Sequence, residues 1–190
     1  MICGAKAKSE KNSELLLHLQ DNEWPFEFTD HDRLIARAIV FDEAGLFYFN
    51  RMERDDLFGK GTFIETAGGG VEDSEDLHTA VKREAREELG ANVEIVCKIG
   101  VVEDYYNLIH RHNVNHYFLC KAVSFSEKEL TDEEIKKFHL STLKLTYKEA
   151  VVEYKKCFAT KLGSLIAKRE MPILERAKEI LDNIGADYDI

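Results

Sequence analysis

The sequence predicts an α/β domain in which a mixed β-sheet is sandwiched between α-helices (α/β/α), with extra helices at the C-terminal end. Three observations predict it. Two apolar strand-like runs joined by a turn come early, a glycine turn feeds an amphipathic helix near the middle, and two amphipathic helical stretches close the chain. With 190 residues, 44% hydrophobic and 33% charged, the chain suits one domain with a substantial core. The domain is expected over residues 31–190, preceded by an N-terminal extension over residues 1–30.

In that extension Leu15, Leu16, Leu17 and Leu19 suggest one or two turns of helix. Trp24-Pro25-Phe26 then forces an extended stretch, with Trp24 an anchor on the domain or part of a dimer surface. Residues 34–41 and 46–49 read as a hairpin around the turn at 42–45, its second strand closing at Asn50-Arg51. The polar, glycine-punctuated stretch 55–61 reads as a loop beside a cleft, and 62–67 as a strand. Residues 93–102 read as a buried strand. The helices are expected over 147–168 and 172–183, with Pro172 in the first turn of the second.

Residues 68–91, GGGVEDSEDLHTAVKREAREELGA, organise the rest. Gly68, Gly69 and Gly70 let the backbone turn sharply into the helix and bring amides and carbonyls to close range. Asp73 or Ser74 is the expected cap, Glu75 and Asp76 suit the first turn, and Gly90 supplies the stop. Leu77, Val81, Ala85 and Leu89 form the apolar stripe, while Glu84, Glu87 and Glu88 stand at i, i+3 and i+4 and converge at its edge. Like charges crowded at a half-buried edge repel, and a cation relieves them; clustered carboxylate oxygens suit hard Mg2+ or Mn2+.

Gly69, Glu75, Arg83, Glu84, Glu87, Glu88 and Gly90 fill every fixed position of the pattern G-x5-E-x7-R-E-U-x-E-E-x-G-U, so the stretch resembles the Nudix box. At about one in fifteen per position, a chance match is on the order of 10^-8 per starting point. The U positions, bulky aliphatics in the family, are Ala85 and Ala91 here, a departure that touches packing more than chemistry. The resemblance implies the Nudix fold and hydrolysis of a phosphoanhydride in a nucleoside diphosphate linked to another moiety. ADP-ribose, nucleotide sugars, dinucleoside polyphosphates and modified nucleoside triphosphates are the substrates to consider.

The same resemblance implies roles. Glu87 and Glu88 would bind Mg2+ (or Mn2+) directly, with the Gly68 carbonyl a third contact, and Glu84 would bind a second metal or take the proton from water. Arg83 would hold the glutamates by ion pairing, and Glu75 would brace the loop–helix junction. Arg51 matches a family arginine that faces substrate phosphate, and Glu65 the family glutamate before the box; the Trp and Pro usual beside it are absent. Gly69 belongs with the substrate-facing backbone. Tyr106 stands where members that cleave dinucleoside polyphosphates carry a base-stacking tyrosine, with ordinary packing the alternative. Glu133 and Glu134 resemble the position of an extra base or ligand outside the box.

His110, His112 and His116 would share a face if extended, as a zinc site requires, but HRHNVNH reads as a polar loop entering a strand over 117–123. A His or Arg111 there could meet substrate phosphate or ribose. A formal charge of -10 argues against coating a nucleic-acid polymer, which needs a basic stripe; the partner that the resemblance implies is a small-molecule nucleotide. Cys3, Cys97, Cys120 and Cys157 lack disulfide or zinc spacing, and no apolar run is long enough to span a membrane. Those features read as cytoplasmic, with a homodimer left open. Two other functions stay open beside the hydrolase: a non-catalytic nucleotide sensor of the same fold, and an isopentenyl diphosphate isomerase-like enzyme, which would need a catalytic cysteine.

Overall fold

The computed structural model describes residues 14–186. Its centre is an eight-stranded mixed sheet. β2 (His31–Phe41) and β3 (Phe47–Asp56) form the expected hairpin, closed by Val40↔Tyr48 and Phe41↔Phe47 pairing. In its turn, Asp42 Oδ1 accepts from the backbone N–H groups of Ala44 and Leu46, each at 3.0 Å. β3 runs on past Arg51 to Asp56 and turns directly into β4 (Gly59–Glu65), so residues 55–61 form a second hairpin instead of a loop. The three glycines do not turn at once into the helix. They belong to β5 (Ala67–Gly70), a short strand antiparallel to β2.

α1 (Leu77–Leu89) begins later than expected. Its cap is Asp76, whose Oδ1 accepts from Thr79 N–H at 2.7 Å, and no acidic residue stands in its first turn. Gly90 ends it in the left-handed conformation at φ 68°, as the sequence predicts. β6 (Ala91–Tyr106) and β7 (Arg111–Phe125) form the longest antiparallel pair, joined by a 3-10 turn over Asn107–Ile109. The HRHNVNH segment is therefore mostly strand, with only His110 in the turn at φ 53°. It looks loop-like because Asn113 and Asn115 are polar, yet both are buried: each amide donates to Asp104 Oδ1, Asn115 also to the Val102 carbonyl, and Asn115 Oδ1 accepts from Arg37 Nε, while Asn113 Oδ1 has no partner among the described residues.

β1 (Leu15–Leu19) corrects the helical expectation for the extension: it lies parallel to β6 at the sheet edge. Leu15, Leu17 and Leu19 pack on the core, while Leu16 is 66% exposed. That alternation serves a strand on a half-covered edge, and an isolated helical turn would have had to nucleate without support. Trp24 anchors the following segment, its ring edge-on to Phe58 at 5.6 Å.

Strand order is β1-β6-β7-β2-β3-β4, with β5 on β2 and β8 (Ser141–Leu145) on β3. Ala36, Ala38 and Val40 pack against Val81, Ala85 and Leu89 of α1 on one face. Ile39, Phe47 and Phe49 meet α3 (Tyr147–Cys157) and α4 (Lys161–Ala186) on the other. The layers are the predicted α/β/α sandwich. The two C-terminal helices divide at 158–160, not at Pro172, which sits inside α4. Thr160 caps α4, its hydroxyl accepting from Gly163 N–H at 3.1 Å. A short helix α2 (Asp132–Lys136) precedes β8.

Candidate active site

A cavity of about 300 Å³ opens between the sheet and α4, with α2 at its rim. Gly68, Gly69 and Glu88 form one wall, so the glycine strand and the end of α1 meet there. Glu65 lies deeper, beside Arg37 and Arg169. Phe58 and Phe138 line an apolar side, with the Arg54 guanidinium 5.3 Å from one ring centre and 4.8 Å from the other and tied to Asp56 Oδ2.

α1 carries Glu88 to this wall and Glu84 against its Gly69 because its apolar stripe fixes its rotation on the sheet. Glu88 Oε2 accepts from Asn50 Nδ2 at 2.6 Å and from Gly68 N–H at 2.8 Å. Enclosure, then the negative charge of Glu84, push its carboxyl up to about 8 against the opposing Gly68 hydrogen bond. Glu84 is buried and also raised, chiefly by that burial, with Arg83 pulling the other way. A Cβ on Gly69 would strike the Glu84 carboxylate, so only glycine allows this approach.

Arg83 is the fastener. Its Nη1 donates to Glu84 Oε1 at 2.7 Å and to Glu87 Oε2 at 3.0 Å. Its Nη2 reaches Glu75 Oε1 at 2.5 Å and the Gly70 carbonyl at 3.1 Å, while Nε reaches Glu75 Oε2 at 3.1 Å. Glu75 in turn accepts from Glu72 N–H at 3.0 Å, which ties the glycine strand, the loop and the helix together.

Among the described residues no three His, Cys, Asp or Glu side chains form a ready metal cluster. The reason is visible in the partners: Glu84 and Glu87 share Arg83, while Glu88 is turned onto Asn50 and Gly68. Gly68 meets this cluster through its N–H, which donates to Glu88 Oε2. The donor set still fits a hard divalent cation. Its atoms are carboxylate oxygens, burial disfavours the charge of two of the groups, which a cation would restore, and the Asn50 Oδ1 beside them is buried without a partner among the described residues.

The other expected residues separate. Glu65 reaches the cavity, where Arg37 Nη2 at 2.7 Å and Arg169 Nη2 bind its Oε1. Burial alone would raise its carboxyl, but Arg37 and Arg169 outweigh it and hold it below the usual range. Arg51 does not reach the cavity; it pairs with Glu53 at 2.8 Å, because strand alternation sends Asn50 to the glutamates and Arg51 to the other face. Tyr106 lines the cavity as a buried wall, its hydroxyl accepting from Arg169 at 2.9 Å, its ring edge-on to Phe58 and under Arg111. Glu134 is at the rim but closes the Thr131 capping box, and Glu133 pairs outside with Lys137 at 2.7 Å. His112 and His116 alternate away from the cavity, and His112 contacts Asp32 at 2.9 Å.

Sequence reasoning missed Asn50, Arg33, Arg37, Arg54 and Arg169. Neither Asn50, in the run 47–50 that is buried throughout, nor Arg169, far along α4, carries a local signal. Cys97, Cys120 and Cys157 are free thiols and none lines the cavity; burial raises each, Cys120 to about 12. Cys3 lies outside the described residues. No described helix is long and apolar enough to cross a membrane.

Comparison with solved structures finds the same fold at low identity. A NUDIX hydrolase from Nitrosomonas europaea is 13% identical with a TM-score of 0.58, covering 80% of this chain and 90% of that one. The solution structure of the E. coli ORF135 protein is 18% identical with a TM-score of 0.52, covering 86% of this chain and 96% of that one. None of the curated proteins compared with the chain matches it. The NUDIX domain model matches residues 31–160, well over half of the chain and including the whole box and the sheet strands β2 to β8, and on that match the chain belongs to the NUDIX family.

Proposed function

We propose that this chain is a Nudix pyrophosphohydrolase that cleaves the phosphoanhydride of a nucleoside diphosphate linked to another moiety. The observation that carries the reading is the pair of charge-strained carboxylates, Glu88 in the wall of an arginine-bearing cavity and Glu84 against Gly69 of that wall. Glu84, Glu87 and Glu88 would hold a divalent cation, Mg2+ or Mn2+. Once bound, it supplies charge neutralisation of the diphosphate and acidifies water. Arg83 keeps the glutamates in register with the glycine strand. Exchange of Arg83 for a cation at Glu84 and Glu87 would leave it still anchored on Glu75. Glu84, partly desolvated, is suited to accept a proton from water; Glu134, occupied by its capping box, is less so.

The isomerase alternative loses ground because none of the described thiols lines the cavity and burial disfavours the thiolate of each. A sensor would bind nucleotide without turnover. The deciding experiment screens ADP-ribose, nucleotide sugars, dinucleoside polyphosphates and oxidised nucleoside triphosphates with Mg2+ and Mn2+, reading products by mass. Release of a nucleoside monophosphate, abolished by chelator and reduced at least a hundredfold in Glu87→Gln and Glu88→Gln, is the expected result. Wild-type turnover in both variants would remove the metal assignment.

A further inference from the structure

Among the described residues, two arginines in the cavity have no counterion. Arg33 on β2 and Arg111 at the start of β7 both line it, and among the described residues neither forms an ion pair. Nearby carboxylates are engaged elsewhere: Asp32 with His112 at 2.9 Å, Asp30 with His31 at 3.6 Å, Asp104 with Arg169 at 3.0 Å. The other cavity arginines are all paired, Arg37 and Arg169 on Glu65 and Arg54 on Asp56. Arg111 rests 5.7 Å from the centre of the Tyr106 ring and leaves its Nε buried with no hydrogen-bond partner. Burial and the charge of Arg33 together hold its guanidinium below the ordinary arginine value. Two like charges facing one space at the expense of stability mark a site that an anion completes.

The position relative to the glutamates limits what that anion is. A Cβ on Gly70 would lie 3.2 Å from Arg33 Nε and Nη2, whereas one on the adjacent Gly69 would strike Glu84. Neighbouring residues of a strand point to opposite faces, so the arginines and the carboxylates flank the bare glycine backbone from its two sides. A phosphoryl group at the arginines thus lies across the glycine strand from the diphosphate beside the glutamates. A chain of three or more phosphates can reach both sides of it.

We propose that Arg33 and Arg111 form an anion subsite for a phosphoryl group of the substrate beyond the diphosphate presented to Glu84, Glu87 and Glu88, so that the substrate carries at least three phosphates, as a nucleoside triphosphate or dinucleoside polyphosphate does and a nucleotide sugar does not. The proposal rests on the pyrophosphohydrolase reading for its substrate, but the subsite itself is testable without turnover. Calorimetry of the full chain in chelator, titrated with inorganic pyrophosphate, isolates the arginines from any metal. Binding is expected in the wild type, weakened at least tenfold by Arg33→Gln and by Arg111→Gln. Arg111→Gln is expected to melt at or above the wild-type temperature, since it removes an uncompensated charge, which separates lost binding from lost fold. With Mg2+, both variants should raise KM at least tenfold for a nucleoside triphosphate and less than twofold for a nucleotide sugar. Unchanged pyrophosphate affinity in both variants, or equal rises in KM for both substrates, overturns the subsite. Arginine-dependent pyrophosphate binding in a protein that cleaves no phosphoanhydride would uphold the subsite and sink the hydrolase reading.

Discussion

Glu88 pays for its position with its charge: enclosed by the glycine strand and pressed by Glu84, its carboxyl is pushed up to about 8. A glutamine there would keep an acceptor for Asn50 Nδ2 and Gly68 N–H while shedding the charge. In chelator, Glu88→Gln should therefore be more stable than wild type by ~1 kcal/mol, about 2–4 °C in a chain of this size. Adding Mg2+ should raise the melting temperature of the wild type and leave the variant unmoved; a variant less stable in chelator, or equally stabilised by Mg2+, would count against the conflict described. The glutamate cluster was legible because helical spacing alone brings Glu84, Glu87 and Glu88 to one side. Arg83 was legible too as their partner, though its grip on Glu75 and the Gly70 carbonyl depends on where the glycine strand runs. Arg51 and Asn50 were confused because adjacent strand residues are indistinguishable in composition and opposite in direction.

The joint between α3 and α4 shows why elements are harder to delimit than to detect. Pro172 invites a boundary, since a proline inside a helix removes one hydrogen bond and costs ~3 kcal/mol. The structure keeps it inside α4 because buried Arg169, Glu170, Ile173 and Leu174 flank it and fasten that stretch to the sheet. The real break is set by Thr160 and Gly163, where a Cβ on Gly163 would collide with the Cys157 carbonyl. Backbone cannot give way as a side-chain tip can. Gly163→Ala is thus expected to lose ~2 kcal/mol by urea titration, with an unchanged denaturant slope, whereas the usual gain from replacing a helical glycine by alanine would show that the turn relaxes. β1 and the start of β7 escaped sequence reading for a related reason. Leucines in a row and buried asparagines have no strand signature of their own; the edge of β6 and the Asp104 carboxylate give them their conformation.

α4 lies beyond the matched NUDIX region, which ends at residue 160, yet it supplies the floor of the cavity. Arg169, 1% exposed, links Asp104 of β6, Glu65 of β4 and its own neighbour Glu170. Glu170, with no exposed surface, also accepts from Tyr117 and Tyr154 hydroxyls at 2.8 and 3.3 Å. No local pattern announces such a network, because its members come from β4, β6, β7, α3 and α4 and acquire meaning only when the layers close. Removing one partner from a buried charge network is worse than never building it, since the remaining charges stay desolvated. Arg169→Met keeps apolar bulk but leaves Glu65, Asp104 and Glu170 with Arg37 as the cation still beside Glu65. It should lose roughly 3–5 kcal/mol in urea titration. Adding Glu65→Gln to Arg169→Met should recover part of that loss, because it removes one stranded carboxylate, even though Glu65→Gln alone is destabilising. If the two losses simply add, Arg169 and Glu65 are not energetically coupled, and α4 is held to the sheet by its apolar face alone.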